Sequence, residues 1–196
     1  MRFWMALLCV SLPWAALAGV RPVQAQGSAI NFAITQMGVT MQGQFKRFAG
    51  TVALDPAHLN EAAINLRVDV ASVDAGGDDA NGAAVQADWL DAAAHPQAQF
   101  VSSAVTALGD GRYQAAGTLT IKGVSRPLRV PFAWRASRDG GAEVSGEFQF
   151  QRGDYKLGAG DWSSFDVIAN NVSVKFHLVL GAAGPVSSSS QTRSVK

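Results

Sequence analysis

The sequence predicts an all-β fold, an antiparallel barrel of about eight or nine strands with one inserted helix. Three observations carry this. Apolar residues recur at every second position over most of the chain, which is the period of a strand with one buried face. Turn-forming residues, among them 20 glycines, separate these runs at hairpin distance. Two strands, residues 64–70 and 172–180, are long and carry no glycine break. Single-faced alternation fits a sandwich or a closed barrel, and the long unbroken strands favour the barrel.

The 196 residues suffice for one domain with a substantial core, and 48% hydrophobic with 16% charged residues excludes a disordered chain. A formal charge of +1 gives no clustered basic excess of the kind nucleic acid would require.

The chain opens on Arg2 and an apolar run from Phe3 to Val10, extended by Leu12 and Trp14 but broken by Pro13. Ala16-Leu17-Ala18 and Val23-Gln24-Ala25 both have the small-x-small form of a leader cleavage site. Residues 1–25 are therefore expected to be a secretory signal peptide, with cleavage after Ala18 as the alternative, and the protein to be periplasmic or secreted. The run falls short of the roughly 18 apolar residues of a membrane span. Large Leu8 before Cys9 argues against a lipoprotein. Cys9 is the sole cysteine, so loss of the leader leaves a chain without thiol chemistry, held by its core. Arg2 and Arg21 leave with residues 1–25, so the formal charge of +1 falls by two to −1. The barrel is expected over 26–181, and the Gly/Ala/Pro/Ser-rich residues 182–196 as a disordered tail.

Within the barrel, Ile30, Phe32 and Ile34 share one face of the first strand. Met37, Val39 and Met41 continue in the opposite parity, which places a turn or bulge near Gln36–Gly38. Phe45 and Phe48 flank Lys46-Arg47 before a short strand with Val52 and Leu54, stopped by Asp55-Pro56. Ile64, Leu66, Val68 and Val70 alternate strictly. Asp79 is placed to cap a helix over roughly 80–93 that carries Val85, Trp89 and Leu90 and ends at Pro96. Strands resume from Phe100 to Leu108. A hairpin follows, with Tyr113, Leu119 and Ile121 on one arm and Leu128, Val130, Phe132 and Trp134 on the other, joined by the Lys122–Pro127 turn. Pro131 lacks a ladder donor and predicts a bulge or an edge there. Val144, Phe148 and Phe150 share a face of the next strand. A loop over 153–170 holds Tyr155, Trp162 and Phe165, and the last strand runs Val172, Val174, Phe176, Leu178, Leu180.

The inward set is thus Phe32, Ile64, Leu66, Val68, Leu119, Ile121, Phe132, Trp134, Phe148, Phe150 and Phe176, with Phe45, Phe48, Trp89 and Phe100 near turns or on the helix, placed to close an end. Two readings of these residues stay open, a packed interior or the wall of a ligand cavity. The cations Lys46, Arg47, Lys122, Arg126 and Arg152 fall in loops. They fit either solvated rim charges or partners for a phosphate headgroup, the second reading applying above all to Lys122, Arg126 and Arg152. Asp88, Asp91 and His95 share part of a helical face but lack a fourth ligand at a recognised spacing, so no metal is expected. His58 lies in a loop, His177 points outward, and no nucleophile elbow or phosphate loop occurs, so no catalytic residue is assigned and an enzyme is not expected.

In order along the chain, Phe45-x-x-Phe48-x-Gly50-x-Val52, Ser72-Val73-Asp74-Ala75-Gly76, Asp88-Trp89-Leu90-Asp91 before Pro96-x-x-x-Phe100, Gly117-x-Leu119-Thr120-Ile121-Lys122-Gly123-Val124-Ser125-Arg126-Pro127 and Gln151-Arg152-Gly153-Asp154-Tyr155 resemble the YceI-like family of exported lipid-binding proteins. The resemblance spans nearly all of 28–180. It departs at Trp89-Leu90 (often Phe-Phe), Ala75 (Thr), His95 (Tyr) and Lys122 (His), and the last replaces a titratable group by a fixed cation. The resemblance implies an eight-stranded antiparallel lipocalin-like barrel whose apolar cavity holds a polyisoprenoid, as a quinone or isoprenyl diphosphate, or another amphiphile. It implies no covalent cofactor, a bound isoprenoid lipid or quinone, and a carrier, store or sensor role with links to acid or osmotic stress. Expected partners are the lipid, a transient membrane surface or a membrane b-type cytochrome, and a second copy in a homodimer. A ligand-free interaction module is the alternative.

Overall fold

Strand β1 (Val20–Gln36) is the seam on which the sheet closes in the computed structural model, which describes residues 19–184. It ends in a two-residue turn, Met37-Gly38, with positive φ at both positions (49° and 80°), the twist that suits a tight hairpin. That turn, and no bulge, reverses the parity between Ile34 and Met41. Strands β2 (Val39–Phe45) and β3 (Phe48–Ala53) then follow one another along the same flank of β1. β2 pairs with its Ile30–Gln36 half, and β3 with Val20–Pro22. They act as one strand kinked at Lys46-Arg47, where Lys46 Nζ lies 2.8 Å from Asp74 and Arg47 Nε 2.9 Å from Asp69.

The sheet continues antiparallel through β4 (Ala63–Asp69), β6 (Gln97–Gly109), β7 (Arg112–Ile121), β8 (Val124–Ala136), β9 (Ala142–Gln151) and β10 (Ile168–Leu180). β10 pairs back onto β1, which closes a barrel of eight strand positions. A two-residue β5 (Val73–Asp74) pairs with the end of β2. The strands resemble the expected ones, with longer first, sixth and last members.

The expected helix over 80–93 is shorter. Helix α1 covers Asp78–Ala84 only, and turns replace it from Val85 onward. The carbonyls that would have continued it are taken elsewhere: Ala87 accepts from Lys122 Nζ, and Asp88 from the N–H groups of Gly158 and Ala159. Asp91 adopts positive φ, which turns the chain back toward His95.

Pro131 sits at an edge, as expected. It faces Gln114 of β7, but pairing of β8 with β9 begins only at Phe132 and runs to Ala136. Above Pro131 the two strands part. The 3₁₀ turn Arg152–Tyr155 fills the opening, burying Tyr155 and Leu157 against Leu119, Ile121, Leu128 and Phe150.

The other end of the barrel is packed. Val52, Leu54, Tyr113, Phe132, Val144 and Leu180 form its core, with the Tyr113 and Phe132 rings stacked at 5.6 Å. β1 contributes here with Val23, and Arg21 lies over the Trp134 ring at 5.4 Å. The barrel start expected at residue 26 therefore falls inside β1. Residues 1–18 of the expected leader and 185–196 of the expected tail lie outside the described residues, while Gly184 bridges to Val20.

Candidate ligand cavity

The packed end uses up only part of the inward side chains. Toward the other end, the barrel walls diverge around a cavity of about 630 Å³, within the range of small-molecule sites. Strand β10 shows its depth: Ile168, Val172, Val174, Phe176 and Leu178 all line it. That stretch is about 33 Å along the strand, on the order of 25 Å along the axis at an ordinary barrel tilt. Such a space is long and narrow.

Its wall is almost wholly apolar. Of the residues expected from sequence, Phe32, Phe45, Leu66, Val68, Trp89, Phe100, Leu119, Ile121, Phe148, Phe150 and Phe176 line it. Ile30, Ile34, Val130, Val172, Val174 and Leu178 also line it and shared parity with residues already assigned. Gly43 makes room for Phe32, because a Cβ there would collide with that ring. Phe32 and Phe45 rings meet at 5.5 Å, Phe148 and Phe176 at 6.4 Å.

Four expected wall residues lie elsewhere. Phe132 is stacked on Tyr113 in the packed end, and Trp134 sits beneath Arg21 beside that core. Ile64 packs against the same cluster, and so does Phe48, opposite Val68. Alternation states which face a side chain takes but not its height along the barrel, and Phe132, Trp134 and Ile64 are too low. Phe48 stands level with the lining residue Val68 and packs on the core cluster instead.

The mouth is bounded by the β1–β2 hairpin, α1 and the 3₁₀ turn Gly160–Trp162. Its exposed lining residues are Met41, Gln42, Asp79, Ala80 and Trp162. Ala80, Ala83 and Ala84 form the helix face over the cavity; the sequence reading, which placed Val85, Trp89 and Leu90 on the helix's apolar side, did not single them out. Met37 and Val39 project beyond the rim, 75% and 62% exposed, and the Met37 N–H donates to the Val167 carbonyl. The Lys122–Pro127 turn is at this end too, since Lys122 braces the loop after α1.

Arg152 organises the mouth. Although charged, it is 1% exposed. Its five N–H groups donate to the carbonyls of Leu157, Gly158, Trp162, Ser164, Ile168 and Ala169. The guanidinium also lies 4.8 Å from the Phe165 ring and 5.6 Å from Trp89, which in turn contacts Trp162. Burial holds its pKa below the ordinary arginine value. This corrects the headgroup expectation for Arg152, which has no donor left to offer. Lys122, in the left-handed region at φ 49°, donates to the Ala87 and Lys156 carbonyls, and Arg126 Nε donates to that of Asp154 at 3.4 Å. All three cations brace the loops.

The titratable groups with clear shifts sit away from the cavity or serve its frame. A hydrogen bond to His58 holds Asp55 below the usual carboxylate range, and the same bond raises His58. Lys46 lowers Asp74 in the same way, while burial raises the Tyr155 phenol. Asp88 contributes its carbonyl to the frame, and Asp91 lies 4.0 Å from His95 Nε2, whose ring covers Gly123.

A family model described as "YceI-like domain" matches residues 22–180. Curated relatives include a UPF0312 protein of Vibrio cholerae, 30% identical over 62% of this chain and 66% of its own length, so the chain spans slightly under two thirds of that relative. A UPF0312 protein of Shewanella baltica is 30% identical over 78% of each chain. Among solved structures, Burkholderia cenocepacia BcnA superposes with a TM-score of 0.77 at 35% identity, covering 80% of this chain and 98% of that one. A polyisoprenoid binding domain from Saccharophagus degradans shares the fold at TM-score 0.68 and 19% identity, over 85% and 99%.

Proposed function

The chain belongs to the YceI-like family, and on that premise we propose that it is an exported binding protein whose cavity holds an isoprenoid or other long-chain amphiphile, as carrier, store or sensor. The observation that carries this is the deep apolar cavity of about 630 Å³. A ligand-free module would have filled that space with side chains, because protein interiors are close-packed. The role is binding rather than catalysis, since the carboxylate–histidine pair with shifted groups, Asp55 and His58, is an exposed loop contact.

The cavity also suits exchange with a membrane. Removing a chain from water is worth about 0.8 kcal/mol per CH₂, but a bilayer offers the same shelter, so transfer between the two is close to neutral. Exposed Met37, Val39, Met41 and Trp162 at the rim suit transient contact with a membrane surface or with a membrane protein such as a cytochrome. Titration with a fluorescent fatty acid analogue tests the reading: one saturable site per barrel is expected, and no saturable binding of any long-chain probe would refute it.

Export with cleavage after Ala18 is part of this proposal. Val20–Pro22 are the only residues of β1 paired with β3. The carbonyls of Val20 and Pro22 accept from Gly184 and Gly181. Cleavage after Ala25 would leave β3 paired with β4 alone, its β1 side uncovered, and the packed end open beside Val52 and Leu54. The mass of the exported chain should therefore place Gly19 at its N-terminus, and a mature, folded chain beginning at Gln26 would refute this.

A further inference from the structure

We propose that the polar end of the cargo is uncharged, a quinone or a free alcohol rather than a phosphate or diphosphate, and that Asp79 is the group that rejects an anion. This rests on the cavity reading above. Among the described residues, two charged ones line the cavity, Asp79 and Arg152. Arg152 has all its N–H groups engaged by six carbonyl oxygens, so it offers a phosphate no hydrogen bond. The carbonyls drawn in around it present oxygen, not donors, to the same region. Lys122 has its ammonium on two further carbonyls and does not line the cavity.

What remains reachable at the mouth is the exposed carboxylate of Asp79 and the amides of Gln36 and Gln42. A diphosphate placed there would meet a like charge, and the cation lining the cavity, Arg152, has no free N–H to give it, an arrangement that disfavours an anionic partner. An amide, by contrast, donates readily to a quinone carbonyl or accepts from a hydroxyl. Asp161, exposed beside Trp162, adds to the negative side of the same rim.

The test compares three probes with one tail: geranylgeraniol, a quinone carrying a geranylgeranyl chain, and geranylgeranyl diphosphate, each displacing a fluorescent long-chain alcohol from the full mature protein. The alcohol and the quinone should displace it at concentrations at least about tenfold lower than the diphosphate. Equal or tighter binding of the diphosphate would overturn the inference while leaving the cavity reading in place. Failure of all three would overturn the cavity reading and this inference with it. In Asp79→Lys, the gap between diphosphate and alcohol should narrow by about tenfold. An unchanged gap in a variant that still binds the alcohol would overturn the role given to Asp79.

Discussion

Replacing Arg152 by Lys tests whether the mouth is held by the guanidinium. The arginine makes its shortest bonds to the Leu157, Ile168 and Trp162 carbonyls, at 2.7, 2.8 and 2.9 Å. A lysine ammonium keeps the charge but has three donors against five, and they radiate from one atom rather than from a planar fork. It cannot reach both the 157–158 and the 162–169 sides, so at least two of the short bonds are lost. At about 1.5–3 kcal/mol for each bond to a charged group, the expected loss of stability is about 3–6 kcal/mol. Urea unfolding followed by tryptophan fluorescence should show a lower midpoint with an unchanged slope. Arg152→Met should cost at least as much, because the buried Leu157, Gly158 and Ile168 carbonyls and three part-buried ones then lose their donor. A loss below about 1 kcal/mol in Arg152→Lys would refute the reasoning, since the carbonyls would then be satisfied without the guanidinium.

Three further outcomes separate the packed end from the cavity and the exposed loops. Phe132→Ala should destabilise the protein by about 3–5 kcal/mol through the space it leaves beside Tyr113, while the number of long-chain molecules bound per barrel, read by probe titration, stays the same. Val174→Trp should do the reverse, placing an indole in the cavity and abolishing probe binding while costing about 1–3 kcal/mol at most. His58 should titrate above its ordinary 6.5 by NMR, because Asp55 accepts its ring N–H, and Asp55→Asn should bring it down. The sign follows: what His58 contributes to stability is present below 6.5 and lost as pH rises through its raised value. What Asp55 contributes is present above 3.8 and lost as pH falls through its lowered value. The pair therefore acts fully between those limits.

The strands were legible because alternation is a local signal, and β4, β7 and β10 show it without interruption. Pro131 was legible for the same kind of reason, as one residue that lacks one donor. Height along the barrel was not: Phe132 and Phe148 read alike by parity, yet one fills the packed end and the other faces the cavity. The length of α1 was misjudged because its end is decided by partners distant in sequence, Lys122 and Gly158. Arg152 was misread for the same reason. A lone arginine in a loop motif looks like a rim charge until the 157–169 segment folds around it. The boundary of the expected leader was not legible either, because the small-x-small pattern alone offers both Ala18 and Ala25.

The central claim is that the cavity carries a long-chain lipid, and the most direct measurement is mass spectrometry of a denaturing organic extract of the protein purified from the cells that make it. An isoprenoid or comparable long-chain amphiphile should be recovered at about one molecule per barrel, the capacity expected of a barrel that holds a single ligand, and Val174→Trp prepared in parallel should yield none. Recovery of no lipid from the unmodified protein, or the same amount from both, would contradict the account.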